Sequence, residues 1–196
     1  MFTGIIEKTG VVTKVSEDGS NKTFWIKSPL AKNLKIDQSV SHDGVCMTIE
    51  ETKKNQHRVT AIAETISKTS LSYWQPGYLV NLERCLKLND RIDGHLVQGH
   101  VDVTGTCMLK KETSGSWNYV FEFPEKFAEF IIEKGSITVH GVSLTAFNVT
   151  NITFEVAIIP YTFENTNIKN VEPGKKVNLE FDLLGKYISR KLSLNK

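Results

Sequence analysis

The sequence predicts an all-β fold with two tandem, similar, six-stranded antiparallel Greek-key barrels, related by internal duplication, and a C-terminal helix. Three observations predict it. The chain repeats itself once, each half contains short β-branched runs between glycine-containing turns, and the last residues carry apolar side chains at helical spacing. A chain of 196 residues is long enough to build two small cores.

The internal repeat keeps its register over nearly the whole chain. Residues 4–10 align with residues 99–105, a shift of 95 positions. After a slip of two positions, residues 41–48 align with 138–145, and the four letters Val-Asn-Leu-Glu recur at 80–83 and 177–180. We therefore predict a first barrel over residues 1–94, a second over 95–182 and a separate helix, suited to oligomerisation, over 183–196.

Alternating and β-branched runs predict the strands of the first half. They lie at residues 10–15, 23–26, 40–49, 57–63 and 79–83. Pro29 and Pro124 stand where a helix can begin, so each half is expected to carry one short helix that closes a barrel end.

The tail carries an apolar helical face. That face, which could cap a barrel or pair with other subunits, comprises Leu183, Leu184, Tyr187, Ile188 and Leu192. Gly185 lies inside the same stretch and weakens the helix prediction.

Composition excludes several classes of function. The 24 basic and 22 acidic residues are scattered along the chain, which argues against a nucleic-acid partner. No apolar stretch is long enough to span a membrane and no targeting signal is recognised, so we expect a cytoplasmic protein. Three widely spaced cysteines predict neither a disulfide framework nor a metal site, and no glycine-rich phosphate loop is present. We expect no metal and no cofactor.

The duplicated Gly-x-Cys/Ser-x-Thr strand is the candidate ligand surface. Its spacing puts Cys46 with Thr48, and Ser143 with Thr145, on one strand face. Such side chains need hydrogen-bond partners, which a polar ligand, the backbone or water can supply. A duplicated module suggests two similar ligands, and the differences between copies, such as His100 opposite Ile5, suggest that the two ligands are treated differently.

Several segments together resemble the riboflavin synthase α chain. They are residues 1–7, 44–48, 64–65, 94–101, 134–137 and 141–145, and Gly-His-Leu-Val-Gln-Gly-His at 94–100 is the most specific. The resemblance implies a cofactor-free homotrimer. It would dismutate two 6,7-dimethyl-8-ribityllumazine molecules, bound between barrels of neighbouring subunits, into riboflavin and 5-amino-6-(D-ribitylamino)uracil. The alternatives are a non-catalytic lumazine- or flavin-binding antenna protein of the same fold and a structural trimer that keeps the barrels for assembly only.

The resemblance also implies site residues. Positions linked to turnover are Phe2, Ser39, Cys46, His100, Ser143, Thr145 and Asp182. The substrate pockets would comprise Gly4, Ile5, Ile6, Cys46, Met47, Thr48, Thr60, Ala61, Ile62, Ala63, Glu64, Thr65, Gly99, His100, Val101, Lys134, Ser143, Leu144, Thr145, Ile158, Ile159, Pro160, Tyr161, Thr162 and Phe163.

Chemistry suggests roles for some of these residues. On the side of the donor lumazine, His100 with Thr145 would accept a methyl proton and Ser143 would donate a hydrogen bond. Cys46 or Ser39 would serve the acceptor. Lys134 would offset negative charge on the ring, unless it is a solvated surface lysine.

Two turn positions depart from the family pattern. Asp43 stands where Asn is common, and His140 stands where Asp or Asn is usual. Both residue types tolerate positive φ, so we expect turns at these positions.

Overall fold

The strands of the first repeat form one antiparallel sheet in a computed structural model that describes residues 1–194. Its strand order is β4-β3-β7-β1-β2-β6-β5, and β4 lies against β6 so that the sheet curls back on itself. The strands are β1 Lys8–Asp18, β2 Asn21–Lys27, β3 Ser39–His42, β4 Val45–Thr48, β5 Glu51–Lys53, β6 Gln56–Ala61 and β7 Leu79–Arg84.

The second repeat builds the matching sheet, in the order β11-β10-β13-β8-β9-β12. Its strands are β8 Val103–Thr113, β9 Ser116–Glu122, β10 Ser136–Val139, β11 Val142–Thr145, β12 Thr153–Ile158 and β13 Lys176–Phe181. The duplicated all-β fold is thereby confirmed. The first sheet has one strand more than predicted, because the three-residue β5 pairs with β6.

The helical segments are more numerous than predicted. The prolines do mark short 3-10 helices, at Pro29–Asn33 and Glu125–Phe130. Each repeat also has a short α-helix, α1 at Ala63–Lys68 after β6 and α2 at Pro160–Asn165 after β12. Each is followed by another 3-10 turn, at Ser70–Tyr73 or Asn167–Asn170. Six-residue helices carry too few apolar positions for a periodic signal, which is why the sequence did not predict them. The C-terminal helix is α3, Leu183–Ser193.

The predicted turns at Asp43 and His140 are confirmed. Asp43 has φ 49° and Gly44 φ 81°, and the pair His140 and Gly141 repeats this geometry with φ 48° and 75°. Two successive residues at positive φ form the tight turn that suits a two-residue hairpin. The predicted strand over residues 40–49 is therefore split into the hairpin of β3 and β4.

Each sheet encloses its own apolar core. The first core contains Val12, Phe24, Ile26, Val40, Met47, Ile49, Leu71 and Leu82, and the second contains Tyr119, Phe121, Ile137, Phe154, Val156, Leu179 and Phe181. Burial of these apolar side chains inside the curved sheet is the main contribution to the stability of each barrel. The boundary at residue 94 stays a prediction.

The two hairpin turns pack against each other at the junction of the sheets. A Cβ on Gly141 would lie 2.6 Å from the Gly44 nitrogen, so the backbones are in direct contact. Two repeat-related asparagines cross the junction, since Asn81 Nδ2 donates to the His140 carbonyl at 3.0 Å and Asn178 Nδ2 donates to the Asp43 carbonyl at 2.9 Å. The duplication thus produces a local two-fold arrangement of buried, satisfied amides.

The first core contains a buried histidine pair that the second core lacks. His42 Nε2 lies 2.8 Å from His57 Nε2, and His42 Nδ1 lies 2.9 Å from the Val40 carbonyl. A carbonyl only accepts, so His42 Nδ1 carries its proton, and His57 Nε2 donates to His42 Nε2. Burial lowers the pKa of His42 well below its usual value and that of His57 to about 4. Val139 and Phe154 occupy the equivalent places in the second core.

This pair predicts an acid-sensitive first barrel. A histidine whose pKa is depressed by folding binds its proton more readily when unfolded, so stability is lost as pH falls below about 6.5. The free energy of unfolding should fall by roughly 2 kcal/mol from His57 alone between about pH 7.5 and 5, measured by urea titration. The double variant H42V/H57F, copied from the second repeat, should lose less over the same interval. An equal loss in both proteins would contradict the assignment.

Candidate functional site

Each sheet is covered by a leading segment from the other repeat. We call residues 2–6 and 97–101 the leading segments, since each precedes the first strand of its own sheet. They pair with one another through Phe2 and Val97, with N···O distances of 2.7 and 3.0 Å. The Gly4 carbonyl accepts from the Ser143 amide at 2.8 Å, and the Gly99 carbonyl accepts from the Cys46 amide at 2.8 Å. The candidate strands β11 and β4 are therefore covered crosswise.

Glycine is required at both crossing points. Gly4 and Gly99 have φ of 76° and 80°, a region that favours glycine. A Cβ would lie 2.6 Å from Ser143 Cβ at the first position and 2.7 Å from Cys46 Cβ at the second. The segments consequently lie directly on the strands that they cover.

The second sheet carries an open cavity of about 570 Å³ beside β11. The candidate residues that line it are Ile5, Lys134, Ser143, Leu144, Thr145, Ile158, Ile159 and Thr162. Ile5 comes from the first leading segment, so the crosswise covering contributes directly to this cavity. We call it the second-sheet pocket.

Lys134 supplies a positive charge at this pocket. Its backbone has φ 62°, and its Nζ lies 5.2 Å from the centre of the Phe147 ring. Within residues 1–194 it has no carboxylate partner at ion-pair distance. An exposed, unpaired ammonium group at the pocket is available to a polar or anionic ligand.

Ser143 is hydrogen-bonded to His95, which the sequence analysis did not place among the site residues. His95 Nδ1 lies 2.7 Å from Ser143 Oγ, and the His95 amide donates to the Thr3 carbonyl at 3.1 Å. Burial lowers the pKa of His95, with Asp182 acting in the opposite direction, so the ring is neutral near pH 7. A neutral ring can accept the Ser143 hydroxyl proton or donate to the hydroxyl oxygen.

His100 lies with the first sheet. It follows Gly99, which contacts Cys46, and its side chain is exposed. Within residues 1–194 its side chain makes no hydrogen bond to Ser143 or Thr145. A relay between His100 and Thr145 in a single chain therefore has no support from the hydrogen bonds.

The equivalent surface of the first sheet, which we call the first-sheet pocket, surrounds β4. Cys46 is half-buried and Thr48 exposed, whereas Met47 points into the core with 5% of its surface exposed. Burial raises the pKa of the Cys46 thiol, and a hydrogen bond with Ser39 only partly offsets this. Cys46 is accordingly a neutral thiol at pH 7, a hydrogen-bonding group more than a nucleophile. Val101 of the second leading segment packs on this core.

Comparison with known proteins agrees with this duplicated site. The model of the family described as "Lumazine binding domain" matches twice, at residues 3–85 and 98–182. Riboflavin synthase of Bacillus subtilis (strain 168) is 38% identical over 97% of this chain and 89% of its own, and that of Mycobacterium tuberculosis (strain ATCC 25618 / H37Rv) is 38% identical over 97% of both. The chain belongs to the riboflavin synthase family. A solved structure, LumP complexed with 6,7-dimethyl-8-(1'-D-ribityl) lumazine, shares the fold with a TM-score of 0.85 at 19% identity, covering 92% of this chain and 99% of LumP.

In this member of the riboflavin synthase family, the other candidate residues have diverse surroundings. Residues 60–65 lead from β6 into α1, where Ala61 is buried and Glu64 forms an exposed ion pair with Lys68 at 2.7 Å. Residues 158–163 repeat this arrangement, with Ile158 buried and with Ile159 and Tyr161 exposed. The Phe163 ring stacks on the Trp117 ring, and the two ring centroids are 3.7 Å apart.

Two candidates have evident structural contacts. Phe2 is fully buried, with no proton to transfer, at the crossing of the leading segments. Asp182 caps α3, because its Oδ1 accepts from the Leu184 amide at 2.9 Å. Their link to turnover in the riboflavin synthase family stays a prediction for this chain.

Sequence reasoning missed the side chains that support the site. Asn81 and Glu83, with Asn178 and Glu180, are buried polar residues of β7 and β13. The signal was present in the sequence, since the four letters Val-Asn-Leu-Glu recur identically and in register in the two repeats. Two buried polar residues repeated in register within an otherwise apolar strand indicate contacts that both halves need.

In residues 1–194, no three or more His, Cys, Asp or Glu side chains cluster as a possible metal site. Over the same range, no helix has the length and apolar content needed to traverse a bilayer.

Proposed function

We propose that this chain is a riboflavin synthase that transfers a four-carbon unit between two 6,7-dimethyl-8-ribityllumazine molecules. The products are riboflavin and 5-amino-6-(D-ribitylamino)uracil, which together contain all atoms of the two substrates. The observation that carries this proposal is a pair of repeat-related pocket strands, each covered by the other repeat's leading segment, in a chain 38% identical to known riboflavin synthases. Two similar pockets suit a reaction of two identical molecules.

The protein has two tasks in this reaction. It holds the two rings in contact, which makes a bimolecular step effectively unimolecular. It also stabilises the anion formed when the donor's C7 methyl group loses a proton. In the second-sheet pocket, the Ser143 hydroxyl and the Lys134 ammonium group are suited to that anion. In the first-sheet pocket, the Cys46 thiol and the Ser39 hydroxyl can hydrogen-bond to the acceptor.

The proposed proton acceptor, His100, requires two subunits. It lies on the segment that covers the first-sheet pocket, whereas Ser143 and Thr145 line the second-sheet pocket. A relay from the donor methyl group to His100 and Thr145 is thus possible where the first-sheet pocket of one subunit faces the second-sheet pocket of another. We include a homotrimer and a cytoplasmic location in the proposal.

An exposed apolar groove along α3 supports self-association. It has a volume of about 1130 Å³ and is lined by Phe130, Ile132, Leu184, Ile188 and Leu192 among others. Ile132 is 68% exposed and Leu184 66% exposed. Several large apolar side chains that are exposed together at one place support the proposal of an interface here.

Removal of this groove should abolish the trimer. A chain that ends at Phe181 is expected to run as a monomer in light scattering, because it lacks the apolar face of α3. The variant I188E/L192E, which retains the capping Asp182 and the Lys186–Asp102 ion pair at 2.7 Å, should dissociate as well. Persistence of the trimer in both proteins would mean that α3 is only a barrel cap.

The activity is tested with the purified protein and the lumazine alone. Riboflavin should appear by absorbance and by chromatography at one molecule per two lumazines consumed, and exhaustive chelation should leave the rate unchanged. Loss of activity on chelation, restored by a metal ion, would contradict the cofactor-free proposal.

The same experiment separates the second candidate function. Likeness in fold to LumP favours a protein that binds lumazine without converting it. Such a protein would bind the lumazine in a fluorescence titration and yield no riboflavin. Ser143, Lys134 and Thr145, present together at the second-sheet pocket, favour the enzyme.

A further inference from the structure

Two buried carboxylates hold the leading segments in place. Glu83, at 4% exposure, accepts from the Thr3 amide at 2.6 Å, the Thr3 hydroxyl at 2.7 Å and the Gly4 amide at 3.0 Å. Its repeat equivalent Glu180, at 2% exposure, accepts from the amides of Gln98, Gly99 and His100 at 2.7, 2.9 and 2.9 Å. Each carboxylate therefore satisfies three donors.

A reciprocal contact ties each segment a second time. Glu7 Oε1 accepts from the Arg84 amide at 2.8 Å, and Asp102 Oδ2 accepts from the Phe181 amide at 2.9 Å. Glu83 of β7 and Glu180 of β13 thus each bind a leading segment. In return, the acidic residue that follows each segment, Glu7 or Asp102, binds the backbone amide next to that glutamate. The segments are held to β7 and β13 at two points each.

The carboxylates act on the opposite pocket because the segments cross. Glu83 belongs to the first sheet, but the Gly4 that it holds covers Ser143 of the second sheet. Glu180 belongs to the second sheet, but the Gly99 that it holds covers Cys46 of the first sheet, and His100 follows directly. Loss of either carboxylate leaves buried amides without an acceptor, which costs more than the hydrogen bonds themselves contribute.

We propose that Glu83 and Glu180 are positioning residues that act crosswise, Glu83 on the second-sheet pocket and Glu180 on the first-sheet pocket and on His100. The consequence for catalysis rests on the proposed function. The crosswise support itself does not, so the two can fail separately.

Hydrogen exchange of two amides tests the crosswise support in the full-length protein without substrate. E180Q keeps the shape of the side chain but replaces one acceptor oxygen by a donor. It should speed exchange of the Cys46 amide by tenfold or more and leave the exchange rate of the Ser143 amide within about twofold of that in the unmodified protein. E83Q should have the reverse effect. E112Q, an exposed glutamate of β8, should change neither amide. The shorter carboxylates of E83D and E180D should give smaller changes of the same pattern, and they replace the glutamine variants should these not fold.

Kinetics then test the catalytic consequence. E180Q should lower kcat at saturating lumazine by tenfold or more because it releases His100, with partial recovery in E180D, and the thermal midpoint is measured alongside. Faster exchange at Cys46 and Ser143 alike would indicate general destabilisation and overturn the proposal, as would an effect of E83Q on Cys46 alone. Normal kcat in an E180Q protein with altered Cys46 exchange would confine Glu180 to structure. Absence of riboflavin formation by the unmodified protein would reject the proposed function without affecting the exchange result.

Discussion

His100→Gln is expected to lower kcat at saturating lumazine by roughly a hundredfold or more, the usual scale of general acid and base catalysis. Glutamine preserves size and hydrogen bonding but cannot accept the methyl proton. The backbone of residue 100 should stay in place, because its amide remains bound to Glu180 at 2.9 Å. Binding of two lumazine molecules should therefore persist, and the effect should appear in kcat more than in KM.

Cys46→Ser is the matched comparison and should cost less than His100→Gln. The thiol is neutral, and Ser143 already stands at the equivalent position of β11. His95→Gln is the informative companion, since His95 is the histidine bonded to Ser143. Near-normal kcat in His100→Gln, or a larger loss of kcat in Cys46→Ser, would contradict the assignment of His100 as the proton acceptor. A large loss of kcat confined to His95→Gln would instead place the proton acceptor in the second-sheet pocket.

Gly141→Ala should cause a large loss of stability, since its Cβ would lie 2.6 Å from the backbone nitrogen of Gly44 at the junction. The control is Gly174→Ala, because Gly174 has a similar φ of 85° but open space around it. Both changes incur the left-handed strain, about 1 to 2 kcal/mol. Gly141→Ala should add roughly 1 to 3 kcal/mol of steric cost on top.

Urea unfolding of the two variants measures the difference directly. Because the contact joins the two turns, we also expect Gly141→Ala to weaken the hydrogen bonds of Asn81 and Asn178 across the junction. Equal losses in the two variants would show that the junction adapts to a methyl group and would remove the reason for glycine there.

Local sequence patterns determined the repeated architecture. Alternation of side chains along a strand depends only on the chain's own geometry, so β1, β2, β6 and β7 were predicted to within a few residues. The turns at Asp43 and His140 followed from the tolerance of these residues for positive φ. The candidate pairs Cys46 with Thr48 and Ser143 with Thr145 followed from the same alternation, and the latter pair does line one cavity.

Only the tertiary structure decided which parts of the two repeats meet. Leading segments pair with each other and cross to the opposite sheet through hydrogen bonds between residues as distant as Gly4 and Ser143, and no local propensity encodes such a partner. For the same reason, sequence reasoning assigned roles on the donor side to His100, Thr145 and Ser143 but did not predict the hydrogen bond between His95 and Ser143. The repeat by itself predicted two similar ligand-binding surfaces. Which carboxylate supports which pocket depends on the crossing, because burial and hydrogen bonding act through space and not along the chain.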